Sequence, residues 1–118
     1  MLRIDPKMVT TSFYLPGYRV RQNMGLARGL VVQTCSAVGN FSAGLQSFFG
    51  GEVSAFQEMC EQARADAFDR MLKHASELGA NAIIGAHLDA TEVSPGTTEV
   101  LAYGTAVFVH QNSNSVSQ

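Results

Sequence analysis

His87 and Asp89 are the residues whose types and spacing best suit chemistry. They close the run Asn81-Ala82-Ile83-Ile84-Gly85-Ala86-His87-Leu88-Asp89, which reads as a strand, and residues i and i+2 of a strand point the same way. An imidazole and a carboxylate on one face can share a soft divalent metal ion or a small ligand. In the plainer alternative Asp89 orients His87, or both face water. Zinc takes three or four protein donors, so the pair needs company from Glu92, Cys35 or a neighbouring subunit. Cys60 is a further candidate ligand, although its place on an apolar helical stripe favours a core role, since free cysteine is among the most buried residue types. Cys35 sits in an uncharged segment and is free to act as a ligand or reactive thiol. The two cysteines are too far apart for a CxxC motif. In a reducing compartment they are free thiols, a disulfide being the alternative.

Other chemistries find less support. Gly50-Gly51 precedes a helix, but neither GxGxxG nor GxxxxGK[ST] is present, so the pair reads as a break between helices. Serines, cysteines and histidines occur without a local signature joining nucleophile, base and orienting group. A small enzyme is thus the least favoured class.

The elements that must position these residues follow from periodicity. Val9 to Ser12 is a short β-prone run, Leu15-Pro16-Gly17 a turn, and Tyr18 to Val32 a strand in which Gly25 and Gly29 mark bulges or close backbone approach. The short run and the long strand are expected to pair as a hairpin. Glu52 to Leu78 is a helix, with Ser54 and Gln57 as a capping box and Gly79 as its stop. Its stripe is Phe56, Met59, Cys60, Ala63, Ala67, Met71, Ala75 and Leu78. His74 flanks the stripe near the C-terminus, where a protonated imidazole suits the helix dipole. In the strand that follows, strict alternation puts Ala82, Ile84, Ala86 and Leu88 on one face and Ile83, Gly85, His87 and Asp89 on the other. Ser94-Pro95-Gly96 turns into a second strand, Thr97 to Val109, and His110 is exposed beyond it. The Asn/Ser/Gln-rich end, 111–118, reads as a disordered tail. The expected fold class is α+β: one domain over 1–118, ordered from about 9 to 109. Its elements run hairpin, helix, hairpin, with one long helix packed on an antiparallel sheet.

Residues Gly29 to Gly51 carry no charge but include Phe41, Leu45, Phe48 and Phe49, at helical spacing over about 41–49. Exposing such rings costs several kcal/mol at ~25 cal/mol/Å². The segment therefore folds onto its own core or, as the favoured reading, packs against sister copies, with Phe41, Leu45, Phe48 and Phe49 as the oligomer interface. A membrane-surface helix would carry basic residues on its polar face, and this one carries none.

Composition points the same way. Hydrophobic residues make up 46% of the 118 and charged residues 15%, against about 25% charged in an average domain. This excludes a disordered chain and leaves surface for another subunit to cover. The net charge of −2 provides no basic field, so no nucleic-acid partner and no membrane partner are expected. Arg3, Asp5 and Lys7 interrupt the first residues, so no signal peptide is read and a cytoplasmic location is expected.

The motifs Val9-Thr10-Thr11, Leu15-Pro16-Gly17-Tyr18-Arg19-Val20, Gly50-Gly51 and Glu61-x-x-Arg64 stand in this order along the chain. Leu78-Gly79-Ala80-Asn81-Ala82-Ile83-Ile84-Gly85 and Tyr103-Gly104-Thr105-Ala106-Val107 complete the set. Together they resemble the YbjQ family, small proteins labelled heavy-metal-binding, over roughly Val9 to Val107. The resemblance implies an antiparallel sheet with a long helix and a ring-shaped homopentamer whose subunits meet through short strands and the central segment. Relatives carry Gly-Glu where this chain has Gly29-Leu30, an Asn and an Arg-Asp pair near Ser36 and Gly39-Asn40, and often Asp in place of His87, while Asp89 matches. The charged groups of the family's central segment are therefore missing here. The functional expectation is a homo-oligomeric binding protein that takes a heavy metal or small ligand at inter-subunit pockets. The alternative is a structural or protein-interaction module without a ligand of its own.

Overall fold

The structure is a computed structural model and describes residues 4–34 and 51–112. Cys35, Phe41, Leu45, Phe48 and Phe49, with the helix expected over 41–49, lie outside the described residues. A short 3-10 turn, Pro6–Met8, leads to strand β1 (Tyr18–Thr34), helix α1 (Gly51–Glu77), and strands β2 (Ala82–Ser94) and β3 (Thr97–Gln111). The three strands form one antiparallel sheet in the order β1-β3-β2, and α1 covers one face. The α+β class expected from periodicity is the class observed.

The first hairpin is not. Val9 bridges Ile83 in the parallel sense, and the Thr10 N–H donates to the Ile83 carbonyl at 3.0 Å. The N-terminal run thus borders β2, and β1 pairs with β3 along its whole length. The physical reason is length: a four-residue run cannot satisfy a 17-residue strand, whereas the 15-residue β3 can. The Leu15-Pro16-Gly17 turn forms as read, with Gly17 at φ 84° and the Tyr18 N–H donating to the Leu15 carbonyl at 3.0 Å. It carries the chain across the sheet and buries Leu15 beside Ala82, Val107 and Val109.

Helix α1 begins at Gly51, so Ser54 lies inside it and not at its cap. Its stripe is made of small residues: Ala63, Ala67 and Ala75 are buried with Met71 and with Leu72, which the stripe reading omitted. Small side chains let α1 sit close to β1. Gly29 completes that fit, for a Cβ there would collide with the Ala67 carbonyl oxygen and the Met71 nitrogen. The helix ends as a Schellman motif. Gly79 has φ 91°, its N–H donates to the Ser76 carbonyl at 2.9 Å, and the Ala80 N–H reaches the Ala75 carbonyl at 3.0 Å.

β1 lies at the sheet edge, and α1 side chains occupy part of that edge. Arg70 Nη1 donates to the Leu30 carbonyl at 2.7 Å. One turn on, His74 Nδ1 accepts the Arg28 N–H at 3.0 Å. His74 thus lies in the last turn of α1, as expected, with its Nδ1 turned to the strand. At the far end, Gln111 closes β3 instead of opening a tail, and the Asn112 N–H donates to the Gly17 carbonyl at 2.9 Å. Ile4 is buried in the main core, which extends the folded part ahead of residue 9. Among the described residues, no helix is long and apolar enough to cross a membrane.

Candidate functional site

The site is positioned by one irregularity in β2. Ile84 pairs with Thr105, and the next pair is His87 with Tyr103, so Gly85 and Ala86 together face Gly104. This is a β-bulge, and Gly85 adopts φ 61° within it. The extra residue shifts the alternation. Ile83 and Ala86 both join the core under α1, while Ala82 packs with Leu15 on the other face. The strict alternation expected for residues 82 to 89 is thereby corrected, because a one-residue insertion exchanges the two faces downstream. Gly104 admits the bulge: a Cβ there would lie 2.7 Å from Ile83 Cγ2 and 3.1 Å from Ala86 Cα.

Beyond the bulge, His87 stands opposite Tyr103 and Asp89 opposite Leu101. Both project to the same face, as their spacing implied, and that face is the one away from α1, the open face. Arg28, across β3, also faces Tyr103. Below this row lies an apolar one, with Leu30 paired to Leu101. Leu26, Leu30 and Val32 are exposed on this face at 57%, 43% and 60%.

Tyr103 is the group that the strand reading missed. Its ring lies 5.8 Å from that of His87 at an interplanar angle of 56°, and Asp89 stands one residue pair along the same face, opposite Leu101. The nearby Asp89 charge raises the Tyr103 phenol above its ordinary value. The available signal was the β-pairing itself, because a tyrosine in the neighbouring strand two positions from Leu101 reaches Asp89 only in this register.

The other expected ligands fall elsewhere. Cys60 is a free thiol, half-buried on the α1 side of the sheet. It borders a cleft of about 70 Å³ with Gln33, Arg64 and Val100. Since Val100 pairs with Ala90, this cleft lies on the opposite face from Asp89, and the sheet separates the thiol from the His87–Asp89 pair. Cys35 lies outside the described residues. Glu92 Oε2 accepts the Gly96 N–H at 3.4 Å in the β2–β3 turn. Among the described residues, no third His, Cys, Asp or Glu joins His87 and Asp89 in a group able to hold a metal ion. The pair therefore fits half of a tetrahedral site.

A second feature adjoins the pair. A groove of about 320 Å³ opens along β2 between the N-terminal run and α1, lined by Val9, Thr11, Phe68, Met71, His87 and Leu88. Its volume is at the lower end of the range of small-molecule sites, about 300–1,000 Å³. The Glu61-x-x-Arg64 motif, by contrast, is an exposed i,i+3 ion pair on α1 at 3.4 Å, of a kind that contributes little.

Comparisons with known proteins agree with this architecture. The chain is 56% identical over 106 residues to a UPF0145 protein of Solibacter usitatus, covering 90% of this chain and 95% of that one. It is 52% identical over 103 residues to a UPF0145 protein of Burkholderia thailandensis, covering 87% and 93%. A crystal structure of a protein of unknown function from the DUF74 family of Pediococcus pentosaceus shares the fold. Its TM-score is 0.58 at 19% identity, over 86% of this chain and 96% of that one. The model of family YbjQ_1, described as "Putative heavy-metal-binding", matches residues 7–110, and with that match over most of its length the chain belongs to the YbjQ family.

Proposed function

We propose that this chain is a cytoplasmic homo-oligomeric binding protein that takes a soft or borderline divalent metal ion at the open face of its sheet. His87 and Asp89 would hold the ion, with the remaining positions filled by a neighbouring copy or by water. The observation that carries the reading is that the bulge at Gly85 turns an imidazole and a carboxylate to the same open face, beside exposed apolar side chains that favour a subunit contact. The description of the family as heavy-metal-binding supports it. Imidazole nitrogen with a single carboxylate suits zinc, nickel or copper better than calcium, which takes six to eight oxygens. If the ligand is a small molecule instead, the groove beside His87 is its place. Neither version assigns a reaction to the site.

The assembly we propose is a homopentamer in which Phe41, Leu45, Phe48 and Phe49 pack between copies. Titration calorimetry of the reduced protein with zinc, nickel and copper tests the metal reading. Binding in the micromolar range or tighter, lost in His87→Ala, is the expected result. Failure of all three ions to bind that tightly would refute it. Sedimentation of Phe48→Asp tests the assembly, because burying an unpaired carboxylate costs several kcal/mol. The variant should dissociate or become insoluble, and an unchanged profile would show that Phe48 is not interfacial.

The second reading, a protein-interaction module without a ligand, draws on Phe13 and Tyr14, exposed at 79% and 65% beside the β2 edge. Affinity capture with wild-type protein and a Phe13→Ser/Tyr14→Ser variant discriminates it. A partner retained by the first and lost by the second would favour this reading, and a reproducible absence of partners counts against it.

A further inference from the structure

His74 lies half-buried in the last turn of α1, and its Nδ1 accepts the backbone N–H of Arg28 at 3.0 Å. β1 is an edge strand of the described sheet. This N–H therefore points outward, where a further strand would otherwise pair with it. A neutral imidazole offers one acceptor nitrogen, and an imidazolium offers none. The contact with Arg28 exists only while His74 is uncharged and carries its proton on Nε2. The neighbouring guard of the edge is of another kind. Arg70 Nη1 donates to the Leu30 carbonyl at 2.7 Å, and a guanidinium does not lose its proton in proteins.

The charges around the ring favour a second position once it is protonated. On α1, Arg70 lies one turn before His74 and Lys73 adjoins it, while Glu77 follows three residues on. On β1, the strand that the ring meets, Arg28 is the charged residue between Gln22 and Thr34, and it belongs to the open face with Tyr103. An imidazolium kept at the strand would oppose a backbone N–H close to the Arg70 guanidinium. Turned towards Glu77, it meets a carboxylate at i+3 and the negative end of the helix dipole. We propose that His74 is a proton-driven latch on the β1 edge: neutral, it covers the Arg28 N–H; protonated, it leaves the strand for the C-terminal end of α1. Histidine is the side chain that changes charge between pH 5 and 8. The latch is closed at the upper end of that range and opens at the lower. Arg70 stays on Leu30 throughout, which confines the opening to the stretch around Arg28.

NMR of the full chain, free of metal ions, tests the latch. At about pH 8 the two ring-nitrogen shifts of His74 should show the proton on Nε2. Protection of the Arg28 amide against hydrogen exchange, corrected for the intrinsic rate at each pH, should fall about 5-fold or more between pH 8 and pH 5, which is what one hydrogen bond is worth. The Val109 amide, held by Asn81 Oδ1 at 2.8 Å, should keep its protection over the same range and so report that the rest of the fold is intact. His74→Gln and His74→Ala carry no titrating ring, and in both the Arg28 protection should be the same at the two pH values. An Arg28 amide in the wild type that is equally protected at both ends of the range overturns the proposal. So does a proton on Nδ1 at the upper end, or the wild-type pH dependence persisting in either variant. Arg28 and Val109 losing protection together would also overturn it, since that is unfolding of the whole sheet and not a local opening.

Discussion

Asn81 grips Val109 with both ends of its side-chain amide: Nδ2 donates to the Val109 carbonyl at 3.0 Å, and Oδ1 accepts the Val109 N–H at 2.8 Å. The side chain imitates one more residue of strand, extending the ladder by a step just before β2 begins. It also fixes where β2 starts relative to β3, and hence the register that later brings His87 opposite Tyr103. Asn81→Ala leaves the backbone groups of the buried Val109 without these partners. A loss of about 1–3 kcal/mol is expected, read as a lower urea midpoint at constant m-value.

Gly29 has no such latitude. Its α-carbon lies beneath Ala67 and Met71 of α1, and an added methyl would meet main-chain atoms that cannot rotate away. Gly29→Ala should push α1 off β1 and cost about 3 kcal/mol, the upper part of the usual overpacking range. Thermal unfolding followed by far-ultraviolet circular dichroism would record the lower midpoint.

The Tyr103 phenol supplies a pH dependence. Its proton is held more tightly in the folded state than in the unfolded chain, because the Asp89 charge opposes a neighbouring phenolate. The corresponding stability is complete below about pH 10, where an unfolded tyrosine begins to ionise. It is lost as pH rises through the higher folded value. Asp89→Asn removes the charge, so the Tyr103 ring-carbon resonance should titrate at lower pH in that variant than in the wild type. Identical titration curves would show that the carboxylate does not act on the phenol.

Arg70 and His74 form the protection of the β1 edge. Each satisfies one outward backbone group, the Leu30 carbonyl and the Arg28 N–H. Arg70→Ala with His74→Ala should cost about 1 kcal/mol per hydrogen bond and leave a length of unguarded strand. Bare edges recruit other strands, so light scattering on mild heating should rise earlier than in the wild type.

Much of the framework was legible in the residues. Gly79 announced the end of α1, Pro16-Gly17 and Pro95-Gly96 announced turns, and the alanine stripe announced a helix seated close on a sheet. These are local properties, set by backbone preferences and side-chain volume. The partners of β1 and of the Val9–Ser12 run were not legible, because pairing depends on which strand of sufficient length is available elsewhere in the fold. The same holds for the site. His87 and Asp89 share a face because they are two apart, a local fact. Which face they share, and that Tyr103 completes the group, depends on the bulge at Gly85 and the register with β3. The separation of Cys60 from the pair is likewise a matter of the whole sheet, since the thiol and the imidazole come from elements on opposite sides of it.

The bulge at Gly85 gives β2 something like a reading frame. Positions after it, as far as the second register shift between Glu92 and Ser94, are assigned to one face of the sheet or the other by that single additional residue. A one-codon deletion at this point would turn the strand from His87 to Glu92 inside out, driving an imidazole and a carboxylate to the α1 side of the sheet and Leu88 and Ala90 to the open face. The binding groups could be silenced in this way without altering any of them.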